Sequence, residues 1–133
     1  MSKVVINIDW AEKNFVASPE DENVACIATG KTLEDVKRNI VDALKFHIEG
    51  MIEDGDAIPK SFENEWTPSF KLTTRAQMRY SEFFITRKAL ARETGINEQQ
   101  LSHYANGWKI PRPSTQRRIT EGIRAISRHL AML

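Results

Sequence analysis

Glu98, Gln99, Gln100 and Ser102 stand close together in the chain. Each carries donors or acceptors that can pair with the edge of a nucleic-acid base. An amide donates and accepts at once, which matches adenine in the major groove, and a carboxylate accepts from cytosine. Arg87, Asn97, Lys109 and Arg112 flank this group and supply the donors that phosphate oxygens take. A second group is anionic: Asp9, Glu12, Glu20, Asp21 and Glu22 all fall within the first 22 residues. Carboxylates at that density suit a cationic protein partner and repel DNA. Neither group is laid out for catalysis. Metal-assisted phosphodiester cleavage needs several carboxylates converging on magnesium. Asp9 is the one candidate on a first strand, whereas Glu12 belongs to a turn and Asp35 to a helix start. His47, His103, His129 and Cys26 lack zinc-ligand spacing. There is no glycine-rich phosphate loop, nucleophile elbow or triad pattern. The expectation is a non-enzymatic protein with no catalytic residue, metal or cofactor.

The base-pairing group needs a helix to present it. Thr86 can cap a first helix holding Leu90 and Ala91, and Gly95 falls where that helix must turn sharply. Glycine takes the left-handed conformation at little cost. Asn97 can cap a second helix, with Gln100 as its reciprocal partner and Ile96 and Leu101 as a hydrophobic staple. Asn106-Gly107 closes it. The pattern predicts two short helices around a tight turn, sealed by Leu90, Ala91, Ile96 and Leu101. A last helix starts near Ser114, with Ile119, Ile123, Ile126, Leu130 and Leu133 alternating four and three apart. That narrow seam fits either intradomain core or a dimer interface. Arg117, Arg118, Arg124 and Arg128 lie off it as a solvated basic face.

The anionic group belongs to a different pattern. Val4, Ile6, Ile8 and Trp10 alternate as a strand, Asn14 to Ser18 makes a second and Val24 to Thr29 a third. Together they predict an antiparallel meander. Thr32 opens a helix as N-cap, with Asp35 completing the capping box. Leu33, Val36, Ile40, Leu44, Ile48 and Met51 recur at helical spacing, widened by Val41 and Ile52. Gly55 ends the helix. Residues 61–72 read as linker, with Trp66 to Leu72 a possible edge strand because of Pro68. The fold class expected is an α+β N-domain of antiparallel sheet plus one helix (1–60), then an all-α domain (73–133).

Charge divides the chain at the same place. Among the 133 residues the net charge is +1, but residues 1–70 hold 7 Lys/Arg against 14 Asp/Glu, and residues 71–133 hold 12 against 4. A half at +8 suits a polyanion, since neutralised phosphates release counterions. No apolar run is long enough to span a bilayer. One cysteine excludes an intrachain disulfide, so a cytoplasmic setting is expected.

The run Leu-Ala-x-x-x-Gly-Ile-x-x-x-x-Leu-Ser-x-x-x-Asn-Gly, followed by Pro111-Arg-Pro113 and a basic helix, resembles the helix-turn-helix of phage-repressor and Cro-type (XRE) regulators over about 40 residues. That resemblance places Glu98, Gln99, Gln100 and Ser102 at base edges and Arg87, Lys109 and Arg112 at the backbone. Residues 4–60 resemble the HicB antitoxins: a Cys-containing strand, Gly30, Thr32-Leu-Glu-Asp-Val36, an amphipathic helix, Glu53-Asp-Gly55 and Ile58-Pro59. The segment Pro19-Glu-Asp-Glu-Asn-Val-Ala-Cys26 departs from that family in lacking its second proline and its glycine. The HicB resemblance implies a truncated RNase H-like N-domain that silences a small basic HicA-like ribonuclease toxin. The C-terminal domain then represses the operon by binding operator DNA as a homodimer or higher homo-oligomer. Two rivals remain at this level: a stand-alone regulator with a ligand-binding N-domain, and an RNA-binding or nuclease-like protein.

Overall fold

Alternation of apolar side chains over the first ten positions commits the chain to a strand with one buried face, and the chain then has to cover that face. The computed structural model describes residues 1–133. The protein is α+β, with a four-stranded mixed sheet and five α-helices in two compact units, Met1–Thr73 and Thr74–Leu133. In the first unit, β1 (Ser2–Ala11), β2 (Asn14–Pro19) and β3 (Ala28–Gly30) precede α1 (Leu33–Glu53), and β4 (Trp66–Leu72) follows it. No helix is long and apolar enough to cross a membrane.

The strand order is β3-β2-β1-β4. β1 pairs with β2, and β2 with β3, antiparallel, as the alternation predicts. The sheet is nevertheless not all antiparallel: β4 runs parallel to β1, from Ser2 opposite Trp66 to Ile8 opposite Leu72. The reason is topological. Parallel neighbours need a long crossover, and α1 provides it. Thus residues 66–72 of the stretch expected as linker are an edge strand of the sheet, with Pro68 on that edge. β3 is shorter than the expected Val24 to Thr29. Asp21 turns the chain, its carboxylate accepting from Asn23 N–H at 2.9 Å and its carbonyl from Val24 N–H at 3.2 Å. Only the last residues reach the ladder.

Val4, Ile6, Ile8, Phe15 and Ala17 face α1, which buries Val36, Ile40, Leu44 and Ile48 against them. Thr32 caps α1 through Asp35 N–H at 3.0 Å. The reciprocal half of the expected box is not formed, because Asp35 pairs with Arg38 at 2.8 Å. Gly55 takes φ +75° just beyond the helix. Gly30 lies against the first turn of α1, where a Cβ would fall 2.5 Å from Val36 N. Ile52 stands exposed rather than widening the buried stripe.

The second unit comprises α2 (Thr74–Ser81), α3 (Arg87–Thr94), α4 (Glu98–Ala105) and α5 (Pro113–Ala131). Its core gathers Met78, Leu90, Ile96, Leu101, Tyr104, Ala105 and Ile119. The apolar seam of α5 changes character along its length. Ile119 is fully buried and Ile123 and Ile126 are half-buried, but Leu130 is 54% exposed and Leu133 wholly so. Gly122 lies where α5 meets α3, its missing Cβ replaced by the Thr94 methyl and, at 3.3 Å, by Leu90 Cδ1.

Candidate nucleic-acid interface

Local chemistry sets the angle between α3 and α4. The Thr86 hydroxyl accepts from Ala89 N–H at 3.0 Å and starts α3. Gly95 ends it at φ 73°, and its N–H donates to Ala91 carbonyl at 2.9 Å. A Cβ there would meet only Arg118 Nη2, at 3.6 Å, so the dihedral and not crowding demands glycine. Asn97 then opens α4, its Oδ1 accepting from Gln99 N–H at 2.8 Å and Gln100 N–H at 3.1 Å. Leu90, Ile96 and Leu101 close the seam beneath with half-buried Ala91.

Burial of Leu101, Tyr104 and Ala105 orients α4. With that face inward, Gln99, His103 and Asn106, spaced at i, i+4 and i+7, share the opposite face. The residues expected to pair with bases therefore divide. Glu98 and Gln99 are exposed. Gln100 is half-buried to one side, and its Nε2 donates to Tyr104 hydroxyl at 2.9 Å instead of returning to the cap. Ser102 is half-buried too: its hydroxyl donates to Glu98 carbonyl and accepts from Arg87 Nη1, both at 3.1 Å.

The residues expected at phosphates also divide. Lys109 and Arg112 are exposed in the segment before α5. Asn97 spends its carbonyl oxygen on the cap, which leaves its Nδ2 amide as the group able to meet an anion. Arg87 is half-buried, pairs with Glu82 through Nε and bridges to Ser102. Part of its charge is thus already balanced.

Four features of this surface were missed at the sequence level. Arg75 and Arg79 of α2 both donate to Ala105 carbonyl, at 3.2 and 3.1 Å. They place cations at the negative end of the α4 dipole. Burial pulls the Arg79 guanidinium below its usual range, a shift that Glu82 opposes and Arg87 and Arg75 reinforce. Arg79 also holds Asn106, donating to its Oδ1 at 3.0 Å. The fourth feature is Trp108, which is 74% exposed and lies with its ring 5.5 Å from that of His103. Periodicity marks His103 as sharing the face of Gln99. The arginine contacts are made over 26 to 30 residues and leave no local signal.

The acidic group is not one patch. Asp9 is committed internally, accepting from Thr73 hydroxyl at 2.7 Å and Trp10 N–H at 2.8 Å. Glu12 sits in the β1–β2 turn at φ 55°. Glu20, Asp21 and Glu22 follow the far end of β2, roughly 17 Å along the strand at its usual rise. Glu20 faces Lys71 across 3.6 Å. The five acids, close as they are in sequence, fall at two separate sites, because β2 separates its own ends. Cys26 is half-buried, and burial pushes its thiol up, which makes it a poor nucleophile. No three His, Cys, Asp or Glu side chains gather as a metal cage would require.

No protein-family model matches the chain. Over 56 residues it is 39% identical to an uncharacterized 14.9 kDa protein of the rep-hol intergenic region of Haemophilus phage HP1 (strain HP1c1). The matched stretch covers 42% of this chain and 41% of that protein, so the chain spans under half of the relative's length.

Proposed function

We propose that the protein is a HicB-like antitoxin and repressor of a type II toxin–antitoxin module. Its second unit is a helix-turn-helix that reads operator DNA with α4. Its first unit, with the outline of a truncated RNase H fold, captures a small basic HicA-like ribonuclease and blocks its access to mRNA. The observation that carries the DNA half is the α3–Gly95–α4 arrangement: Gln99 and His103 stand on the face opposite the core, with Lys109 and Arg112 nearby. Gln99 is the principal base reader, Glu98 borders it, and Gln100 and Ser102 shape the helix surface from the side. Arg87 serves chiefly to bind α4 to Glu82. The net −7 of residues 1–70 supports the toxin half, since opposite charge speeds encounter.

The test of the DNA half is a mobility-shift titration with DNA from upstream of the protein's own gene. Gln99→Ala should cost about 1–3 kcal/mol at one base pair per half-site. Gln100→Ala should leave sequence preference intact, because its amide already serves Tyr104. Equal loss from both variants, or from neither, would remove α4 as the reader in this orientation.

The toxin half is tested by stopped-flow association with a small basic ribonuclease encoded beside the gene. Reversing Glu20, Asp21 and Glu22 to lysine should slow association strongly at low salt and mildly at high salt. Steering of this kind is screened over about 8 Å at physiological ionic strength. DNA affinity should not fall. Failure to bind any such ribonuclease would sink the antitoxin half and leave the DNA half standing.

A further inference from the structure

Trp108 is the one tryptophan of the second unit, and it is 74% exposed. Its backbone is nonetheless fixed. Gly107 N–H donates to Tyr104 carbonyl at 3.2 Å and Trp108 N–H to His103 carbonyl at 2.9 Å. With Gly107 left-handed at φ 76°, these are the two bonds of a Schellman close to α4. A Cβ on Gly107 would lie 2.8 Å from Arg75 Nη1, so α2 buttresses the turn. The residue after such a cap commonly makes an apolar contact back to the last helical turn. Here the Trp108 ring lies 5.5 Å from that of His103, tilted by 32°. His103 Nδ1 is shielded and makes no hydrogen bond, so ring contact joins the pair. One small apolar group would serve such a cap, yet most of the indole stays bare. Ile110, 87% exposed, adds to the bare apolar surface two residues on.

We propose that Trp108, backed by His103, reads the 5-methyl group of a thymine in the major groove and sets specificity at a base pair that Gln99 does not reach. The inference rests on the DNA reading above and extends it from hydrogen bonds to apolar contact. His103 follows Gln99 by four residues on the exposed face of α4. A ring that folds back on His103 therefore stands beside Gln99's face.

Duplex chemistry selects the ligand. The bases of a duplex are stacked on one another, so a protein meets their edges and not their faces. In the major groove those edges carry polar atoms, with one exception: the thymine methyl. An apolar ring held there has that one apolar partner. Phosphate is the poorer match, because an indole offers it a single N–H donor. Exposed Lys109 and Arg112 close by supply the cations that phosphate prefers. The fixed turn also matters, since a ring already held in place loses little freedom on binding.

The test titrates the full chain with duplex DNA from upstream of its own gene, each thymine of the bound segment being replaced in turn by uracil. Uracil lacks only the methyl and keeps every hydrogen-bonding atom. For the wild type, one thymine per half-site should stand out, its replacement weakening binding about fourfold, which is what one buried methyl is worth. Trp108→Ala should bind the thymine duplex more weakly by at least that factor and show no further loss with uracil at that position. Trp108→Phe keeps an apolar ring and should retain most of the sensitivity. Lys109→Ala should weaken thymine and uracil duplexes alike. The readout compares two duplexes on one protein, so a partly unfolded variant cannot imitate it. Equal loss of both duplexes in Trp108→Ala would make the residue a backbone contact and overturn the proposal. So would a wild type indifferent to every methyl, or separated strands bound more tightly than the duplex, with Trp108 stacked on a base. A wild type that binds no duplex takes the DNA reading down together with this proposal. One that binds yet ignores the methyls leaves that reading standing.

Discussion

Gly30→Ala should destabilise the first unit by about 3 kcal/mol, near the upper end of overpacking costs. The alanine methyl would lie 2.5 Å from Val36 N, 2.9 Å from Val36 Cα and 3.0 Å from Asp35 C. All three are backbone atoms of the first turn of α1, so no rotamer change relieves the contact. The helix would have to move as a body, and Val36, Ile40 and Leu44, each fully buried, would move with it. Each kcal/mol is worth about 4–8 °C in a domain of this size, so the melting of this unit should fall by more than about 10 °C. Differential scanning calorimetry would show it, and an unchanged transition would mean that α1 is not seated against Gly30 as described. Capture of the proposed toxin should weaken in step, because the meander and α1 are one packed body.

The second large effect is a coupling. Gly122→Ala would ordinarily gain about 1 kcal/mol of helix propensity. Here the new methyl would collide with Thr94 Cγ2 and press Leu90 Cδ1 at 3.3 Å. Thr94 is not free to rotate away: its hydroxyl donates to Leu90 carbonyl at 2.8 Å and accepts from Ile96 N–H at 3.2 Å. The single variant should therefore lose about 1–3 kcal/mol. Thr94→Ser deletes the offending methyl and keeps both hydrogen bonds. In that background Gly122→Ala should turn neutral or stabilising, an interaction energy of about 2 kcal/mol or more by double-mutant cycle. Urea melts of the four proteins decide it, and additive effects would show that the contact between α3 and α5 is not this close. Affinity for the proposed operator DNA should track the single variant's loss, since α3 carries the turn that orients α4.

Features that depend on neighbouring residues were legible from the chain. Thr32, Thr86 and Asn97 cap helices because a side-chain oxygen reaches N–H groups two or three residues on. Gly95 needs no more than a sharp turn between two apolar stripes. What escaped depends on partners distant in sequence. The parallel pairing of β4 beside β1 follows from a crossover that alternation cannot display. The loss of Gln100 as an exposed amide depends on where Tyr104 places its hydroxyl. Arg75 and Arg79 precede α4 by a whole helix and turn, so only the folded unit reveals that they finish its C-terminal end. The seam of α5 was open between core and interface because its spacing satisfies both, and the folded unit divides it: core at Ile119, bare surface at Leu130.

The parallel ladder between β1 and β4 has a kinetic consequence. It joins Ser2 to Trp66 and Ile8 to Leu72, so the first unit cannot complete its sheet until nearly all of its chain is present. Contacts between residues so far apart carry a loop-closure cost before any reward, and folding slows as their share rises. The second unit is all helical, and its longer contacts, such as Gln77 with Thr120 over 43 residues, still span less chain than the ladder between β1 and β4, so its delay is shorter. On the ribosome the order of synthesis therefore opposes the order of intrinsic speed: the slower unit emerges first and the faster one last. While β4 is still inside the exit tunnel, the paired β1 and β2 present an open, apolar edge. That edge is covered only when residue 72 has emerged and β4 can pair along β1.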